Sequence, residues 1–148
     1  MQRSLVGSEM CIRDSLPGMG VDEVYQGKYT HRHTGMGTVV EDDIYIQDGE
    51  ARLHIFPLPS SHAKGCVALE VNDEWCFLGD ALYSMQKCGH NLYNAGILKD
   101  EINVLQNIKA EKFMLSHRTP FEKPKGIIMR WLGEIYDRRV KGEVYIEI

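Results

Sequence analysis

The chain has 148 residues, a formal net charge of −4 and 43% hydrophobic residues. This length and composition suit one globular domain with a single apolar core. The excess of acidic over basic residues leaves no basic footprint, which argues against nucleic acid as a partner. None of the four cysteines forms a Cys-x-x-Cys pair. We therefore expect reduced thiols and, since no targeting or membrane-spanning segment is visible, a cytoplasmic protein.

The first 37 residues carry no strong folding signal. Met1–Ser15 lacks the apolar core of a signal peptide and is too short and polar to span a membrane. Residues 6–15 resemble a translated sequencing-adapter fragment, so we interpret residues 1–15 as an artefactual segment that replaces the natural upstream sequence. The alternative is an ordinary disordered start without function. Residues 16–37 are punctuated by glycine and are predicted to be a loop-rich remnant.

From Thr38 onward, short apolar runs separated by turn residues predict strands. Asp48-Gly49 and Asn72-Asp73 are both strong signals for tight hairpins. The run at 51–57 alternates between two faces, and we interpret its His54 as a surface residue and not as a ligand. The predicted strands are 38–40, 44–46, 51–57, 66–71, 74–78 and 113–115, with a last candidate at 144–148.

Two later segments are predicted to be helices. Apolar residues recur at three- and four-residue steps from Ile97 to Ala110, and again from Pro124 to about Arg139. Asp100 and Glu101 lie near the start of the first helix, where acidic side chains complement the helix dipole. The segment from Ser84 to Gly96 has little periodicity and is predicted to be a polar loop.

Three potential metal ligands each follow a predicted strand. His62 follows the strand at 51–57, Asp80 follows 74–78, and His117 follows 113–115. A sheet holds such residues rigidly while water can still reach them, as a catalytic metal site requires. Imidazole suits zinc, iron or manganese, and a carboxylate has two oxygens with which to bridge two ions. Two histidines and one aspartate are nevertheless few ligands for a two-metal site.

The motifs around these three residues resemble those of the metallo-β-lactamase superfamily. Pro59-Ser60-Ser61-His62-Ala63-Lys64-Gly65 is similar to the family's Thr-Pro-Gly-His-Thr-x-Gly turn, with Ser60-Ser61 in place of the usual Pro-Gly. Gly79-Asp80-Ala81-Leu82 is similar to its Gly-Asp-x-Leu/Ile turn, and Ser116-His117 to its late Gly/Ser-His. The resemblance runs from about Thr38 to about Trp131. It implies an α/β fold over residues 38–148: the C-terminal part of an αββα sandwich, with an antiparallel-rich sheet and helices on one face.

The resemblance also implies a chemistry. His62 would bind the first of two divalent metal ions, Asp80 would bridge both as the catalytic aspartate, and His117 would bind the second. Zinc is the expected metal, with iron or manganese as alternatives. The ions would hold a hydroxide that attacks an ester, thioester, lactone or phosphodiester in a small-molecule substrate. His90 and Tyr93, in the segment that follows Asp80, are candidate substrate-binding residues.

One departure from the family is serious. The upstream His-x-His-x-Asp-His, whose histidines complete the first metal site, is absent. The nearest segment, Thr30-His31-Arg32-His33, is followed by Gly35 and Met36 where the aspartate and last histidine belong, so we interpret it as a polar loop. We therefore expect the chain as written to be nearly inactive, and an upstream half that bears the motif to restore hydrolysis.

Two alternatives remain open at this point. One is a noncatalytic incomplete domain that binds metal poorly, and the other is a diiron redox relative of the same fold. The sandwich architecture also predicts that one face of the sheet is unusually apolar, because in the family that face packs on the other half. An exposed apolar face favours self-association.

Overall fold

A computed structural model of the chain describes residues 40–117 and 122–148. The predictions for the adapter-like segment, the loop-rich remnant, the His31–His33 pair and most of the strand at 38–40 lie outside these described residues. Within them the fold is mixed α/β, with two sheets and two helices. The helices are α1 (Ala95–Asn107) and α2 (Lys125–Asp137).

In the described part of the chain, nine strands make up the two sheets. They are β1 (Ile44–Asp48), β2 (Ala51–Pro57), β3 (Val67–Val71), β4 (Trp75–Phe77), β5 (Met85–Lys87), β6 (His90–Asn94), β7 (Lys112–Met114), β8 (Lys123–Pro124) and β9 (Tyr145–Glu147). The larger sheet has the order β1-β2-β3-β4-β7-β8, and the smaller has the order β5-β6-β9. All neighbours are antiparallel except β4 and β7, which are parallel.

Both predicted hairpin turns are confirmed. Gly49 lies between β1 and β2 with a φ of 56°, and Asn72 and Asp73 lie between β3 and β4 with φ values of 55° and 58°. Left-handed backbone is tolerated best by glycine, asparagine and aspartate, which explains these residue types at the turns. The turns fix the register that sends alternate side chains to opposite faces of the sheet.

The inner face of the larger sheet forms the core with the two helices. Phe56, Ala68, Cys76 and Phe113 lie on this face, one on each of four adjacent strands, and each is at most 2% exposed. Helix residues at three- and four-residue spacing pack in the same cluster, among them Leu98, Leu105, Ile128, Leu132 and Ile135.

The outer face of the same sheet is apolar but is not fully buried. Its side chains alternate with those of the inner face, and Ile46 and Phe77 are each 43% exposed. The remaining apolar members are half-buried by one another, and they are Ile44, Leu53, Ile55, Pro57, Val67, Leu69, Val71, Trp75 and Met114. Charged residues lie at its margins, where Lys112 Nζ is 4.6 Å from the centroid of the Trp75 ring.

The segment from Ser84 to Gly96 is not the loop that the sequence predicts. It contains the β5–β6 hairpin, with a turn at Cys88 and Gly89, whose φ values are 53° and 83°. The sequence pattern is weak because β5 has only three residues, two of them exposed, and Tyr93 is the one buried residue of β6. Pairing of β6 with β9 and burial of Tyr93 stabilise the hairpin, and β9 lies far along the chain.

Helix α1 departs from the prediction in two ways. It begins at Ala95 because the Asn94 side chain accepts hydrogen bonds from the backbone N–H groups of Gly96 and Ile97. Glu101 does not serve the helix dipole at the surface. It lies on the buried stripe between Leu98 and Leu105, is 0% exposed, and its carboxylate oxygens have no hydrogen-bond partner among the described residues.

The described cysteines are free thiols. Cys76 is buried, and burial raises the pKa of its thiol to about 12, so the thiol stays protonated at neutral pH. Neither helix in the described part of the chain is long and apolar enough to cross a membrane.

Burial raises the pKa of Glu101 from 4.5 to about 9, which predicts a pH-dependent stability. The folded state keeps the carboxyl protonated, whereas the unfolded state releases the proton above about pH 4.5. The favourable contribution is therefore complete below pH 4.5 and is lost as pH rises towards 9, at about 1.4 kcal/mol per pH unit. In urea unfolding measured between pH 4.5 and 9, Glu101→Gln should remove this decrease in the free energy of unfolding.

The matched control is Glu134→Gln, which alters an exposed glutamate on α2. Its free energy of unfolding should fall with pH as steeply as that of the unaltered chain. If the free energy of unfolding changed with pH in the same way for Glu101→Gln and the unaltered chain, the assignment of a neutral, buried Glu101 would be contradicted.

Candidate metal site

The strand directions bring the three candidate ligands to one edge of the larger sheet. β3 is antiparallel to both β2 and β4, and β7 is parallel to β4, so β2, β4 and β7 all run the same way. Their C-terminal ends therefore lie at the same edge. His62, Asp80 and His117 each follow one of these three ends.

Backbone hydrogen bonds extend the parallel pairing beyond the strands themselves. The Leu78 N–H donates to the Met114 carbonyl at 2.9 Å, and the Ser116 N–H donates to the Gly79 carbonyl at 3.1 Å. Gly79 and His117 then turn away with φ values of 55° and 54°. A left-handed histidine is costly, and such strain clusters at functional sites. This pairing aligns Asp80 with Ser116 and His117.

Asp80 is a buried carboxylate held by two neighbours on the β7 side. Its side chain is 3% exposed, and its Oδ1 accepts a hydrogen bond from Ser116 Oγ. Nε2 of His117, whose side chain is 43% exposed, lies 3.4 Å from the same Oδ1. Two ligand atoms at ~2.0–2.1 Å from one tetrahedral ion are about 3.3 Å apart. The aspartate and histidine therefore have the separation that joint coordination of one ion needs.

His62 has its tautomer fixed by the backbone. Its Nδ1 lies 3.1 Å from the carbonyl oxygen of Ser84. Because a carbonyl only accepts, Nδ1 carries the proton, and the ring lone pair is on Nε2. Metal-binding histidines commonly have one ring nitrogen oriented in this way by a hydrogen bond at the other.

Tyr83 links the loop of Asp80 to both histidine-bearing segments. Its hydroxyl donates to the Ser116 carbonyl at 2.6 Å. Its ring stands edge-on to His62, with centroids 6.0 Å apart and an interplanar angle of 68°. The three segments at this edge are thus in contact through one half-buried aromatic side chain.

The two serines that precede His62 do more than form a turn. Ser60 Oγ donates to the Ala81 carbonyl at 2.7 Å and accepts from the His62 N–H at 3.1 Å. Ser61 Oγ accepts from the Asn94 N–H at 3.0 Å. Both serines are buried, so these bonds attach the His62 turn to the Asp80 turn and to the start of α1. The sequence suggested only a turn here, because these partners are distant along the chain.

Two of the three candidate ligands lie close enough together to bind one ion, but the three together do not form a metal site. No three His, Cys, Asp or Glu side chains among the described residues lie close enough together to hold a metal ion. Asp80 and His117 fit one ion, and His62 lies at the same edge with the required tautomer. Further ligands or a closer approach of His62 are needed for a catalytic ion with three protein ligands.

The two predicted substrate-binding residues lie on the smaller sheet. Tyr93 is 1% exposed, and its hydroxyl donates to the Leu82 carbonyl at 2.8 Å. Burial raises the pKa of Tyr93 to about 12, so this hydroxyl stays protonated as it supports the turn after Asp80. His90 is exposed and its Nδ1 contacts the carboxylate of Glu147 on β9.

A second histidine cluster corrects the interpretation of His54 as a surface residue. Its side chain is 17% exposed, with Nδ1 3.0 Å from Glu70 and Nε2 3.0 Å from Asp43. Tyr45 stacks on the ring at 4.4 Å. Glu70 also accepts from the backbone N–H groups of Lys109 and Ala110. The signal in the sequence is a glutamate inside an apolar strand, which needs a partner when it is buried.

The hydroxyl of Tyr83 provides a direct test of the site geometry. Tyr83→Phe removes its hydrogen bond to Ser116 and should lower the free energy of unfolding by about 1 kcal/mol, as measured by urea denaturation. The control Tyr145→Phe alters an exposed tyrosine on β9 and should change little. If both substitutions changed the free energy of unfolding equally, the Tyr83 hydroxyl would not be joining the Asp80 loop to the segment that contains Ser116.

Comparisons of the chain with protein-family models, curated proteins and solved structures found no match. The resemblance of the three motifs and the geometry at the strand ends are therefore the observations on which a functional proposal rests.

Proposed function

We propose that the candidate site of this chain is part of the active site of a metal-dependent hydrolase of the metallo-β-lactamase type, with zinc as the expected metal; the chain as written supplies only some of the ligands. The observation that carries the proposal is the 3.4 Å separation of Asp80 Oδ1 and His117 Nε2 at the ends of two parallel strands. The motif order His62, Asp80, His117 supports it, since all three follow strands that run in one direction. The one-sided core and apolar outer face are consistent with one half of an αββα sandwich.

Each residue has a separate role in the proposal. Asp80 supplies a buried carboxylate with two oxygens, and Ser116 orients it by donating to Oδ1. His117 is adjacent and half-exposed, on the side that a substrate can approach. His62 presents Nε2, because the Ser84 carbonyl holds the proton on Nδ1.

Asp80, His117 and His62 would contribute to holding a divalent ion, which would lower the pKa of bound water from ~15.7 to about 7 and so supply a nucleophile at neutral pH. The proposed substrates are small molecules with an ester, thioester, lactone or phosphodiester bond. Asp80 and the two histidines position the reacting centre at an edge that is open to solvent through His117.

Isothermal calorimetry of zinc binding to the chain tests this proposal. Asp80→Ala and His117→Ala should each weaken zinc affinity by at least about 10-fold, because each removes a group that contacts the ion. His90→Ala is the control, since it alters an exposed histidine on the smaller sheet. Zinc binding that is unchanged in Asp80→Ala would overturn the proposal.

Elemental analysis of the purified chain addresses the identity of the metal. It should find zinc, and stoichiometric iron would instead favour the diiron relative.

Hydrolysis of thioester, lactone and phosphodiester substrates gives the second readout. Because the described residues contain no complete three-ligand group, turnover by the chain as written should be slow. Any turnover should disappear on chelation, return with zinc, and be absent in Asp80→Ala. Turnover that is insensitive to both chelation and Asp80→Ala would exclude this site as its source.

A further inference from the structure

Glu70 is a buried glutamate whose side chain contacts segments on both sides of β3. It lies on the inner face, is 4% exposed, and is opposite His54 on β2 and Cys76 on β4. Its Oε2 lies 3.0 Å from Nδ1 of His54. Its Oε1 accepts hydrogen bonds from the backbone N–H groups of Lys109 and Ala110 at 2.9 and 2.6 Å. The side chain therefore reaches across β4 to the segment that leads into β7.

The register of β7 is not selected by its apolar side chains alone. Three residue pairs join β7 to β4, and two join it to β8. Burial of Phe113 opposes a slip by one residue, because such a slip would turn this side chain to the outer face. A slip by two residues keeps the facing and brings Leu115, which already packs against the core, to the place of Phe113. The hydrophobic pattern therefore permits more than one register.

The contacts of Glu70 distinguish these registers. A slip by two residues would move the two bound N–H groups by about 6–7 Å, beyond the reach of a carboxyl group that His54 holds in place. Lys125 also holds this connection, since its Nζ donates to the Ile108 carbonyl at 2.6 Å, but Lys125 belongs to α2 and not to the sheet. Glu70 thus fixes the start of β7 relative to β3 and β4.

This register sets the geometry of the candidate metal site at the other end of β7. Ser116 lies six residues after Ala110, or about 20 Å along an extended chain. In the observed register its N–H donates to the Gly79 carbonyl, and the next residue, His117, has Nε2 3.4 Å from Asp80 Oδ1. A slip of about 6–7 Å would remove the close approach that joint binding of one ion needs.

We infer that Glu70 is a positioning residue of the metal site, which acts through β7 by fixing the register of this strand against β4. His54 supports this role because its ring contacts the Glu70 carboxyl group. The effect on zinc rests on the proposed function, whereas the effect on the register does not. The property that matters is the reach of the side chain to the two N–H groups, which glutamine shares and aspartate, one methylene shorter, does not.

Two substitutions at position 70 separate the reach of the side chain from its carboxyl group. Glu70→Gln keeps the length and an acceptor oxygen, so it should keep the zinc affinity of the unaltered chain. Glu70→Asp keeps the carboxyl group but is shorter, and its zinc affinity should fall by at least about 10-fold. The control Ile135→Val lowers stability at a buried position on α2 and should leave zinc affinity unchanged. Far-UV circular dichroism verifies that the variants are folded.

Hydrogen exchange of the Ser116 amide, followed by NMR, reports on the register without metal. The reference is the Leu58 amide, which donates to the Cys66 carbonyl between β2 and β3. Glu70→Asp should accelerate exchange at Ser116 relative to Leu58 by at least about 10-fold, because the β4–β7 pairing then opens locally. Glu70→Gln and Ile135→Val should leave the ratio of the two rates unchanged.

Each other outcome decides a separate point. An unchanged ratio of exchange rates in Glu70→Asp, equal effects of Glu70→Asp and Glu70→Gln, or loss of folding in Glu70→Asp overturns the control of the register by reach. Asp80-dependent zinc binding that is as tight in Glu70→Asp as in the unaltered chain, or is equally weakened in Ile135→Val, overturns the positioning of the metal site. If exchange responds as expected but the unaltered chain takes up no zinc, the proposed function fails and the role of Glu70 in the register stands.

Discussion

The parallel pairing of β4 with β7 is the constraint on which the candidate site depends. It is the one parallel pair among the described strands, and it brings together segments separated by the β5–β6 hairpin and α1. Backbone hydrogen bonds from Leu78 to Met114 and from Ser116 to Gly79 carry the pairing into the loops. Asp80 and His117 are adjacent for that reason, and an antiparallel β7 would place His117 at the opposite edge.

Three buried carboxyl groups of the molecule have different surroundings. Glu70 is buried yet satisfied, since it accepts from His54 and from two backbone N–H groups. Glu101 is buried at comparable depth without a hydrogen-bond partner among the described residues, and it therefore stays protonated. Asp80 is the third case, a buried carboxylate whose neighbours are a hydroxyl and an imidazole at an accessible edge. Of the three, Asp80 is the carboxylate that the proposed metal site uses.

The two faces of the larger sheet have opposite roles. The inner face is sealed by the helices, as the complete burial of Ala68, Cys76 and Phe113 demonstrates. The outer face is as apolar but keeps Ile46 and Phe77 partly exposed. The candidate ligands lie beyond the ends of β2, β4 and β7, at the edge that borders both faces.

The sequence by itself determined the local features of this protein. Alternation in β2 and the residues of the two tight turns predicted the hairpins, because strand period and left-handed backbone are local properties. The order of His62, Asp80 and His117 behind strands identified the candidate ligands. Only the tertiary structure decided what depends on distant contacts: the β5–β6–β9 sheet, the burial of Glu101, the His54–Glu70 pair and the bonds of Ser60 and Ser61. These features follow from which strands are neighbours, and strand neighbours are set by packing of the whole domain, not by the residues on either side of them.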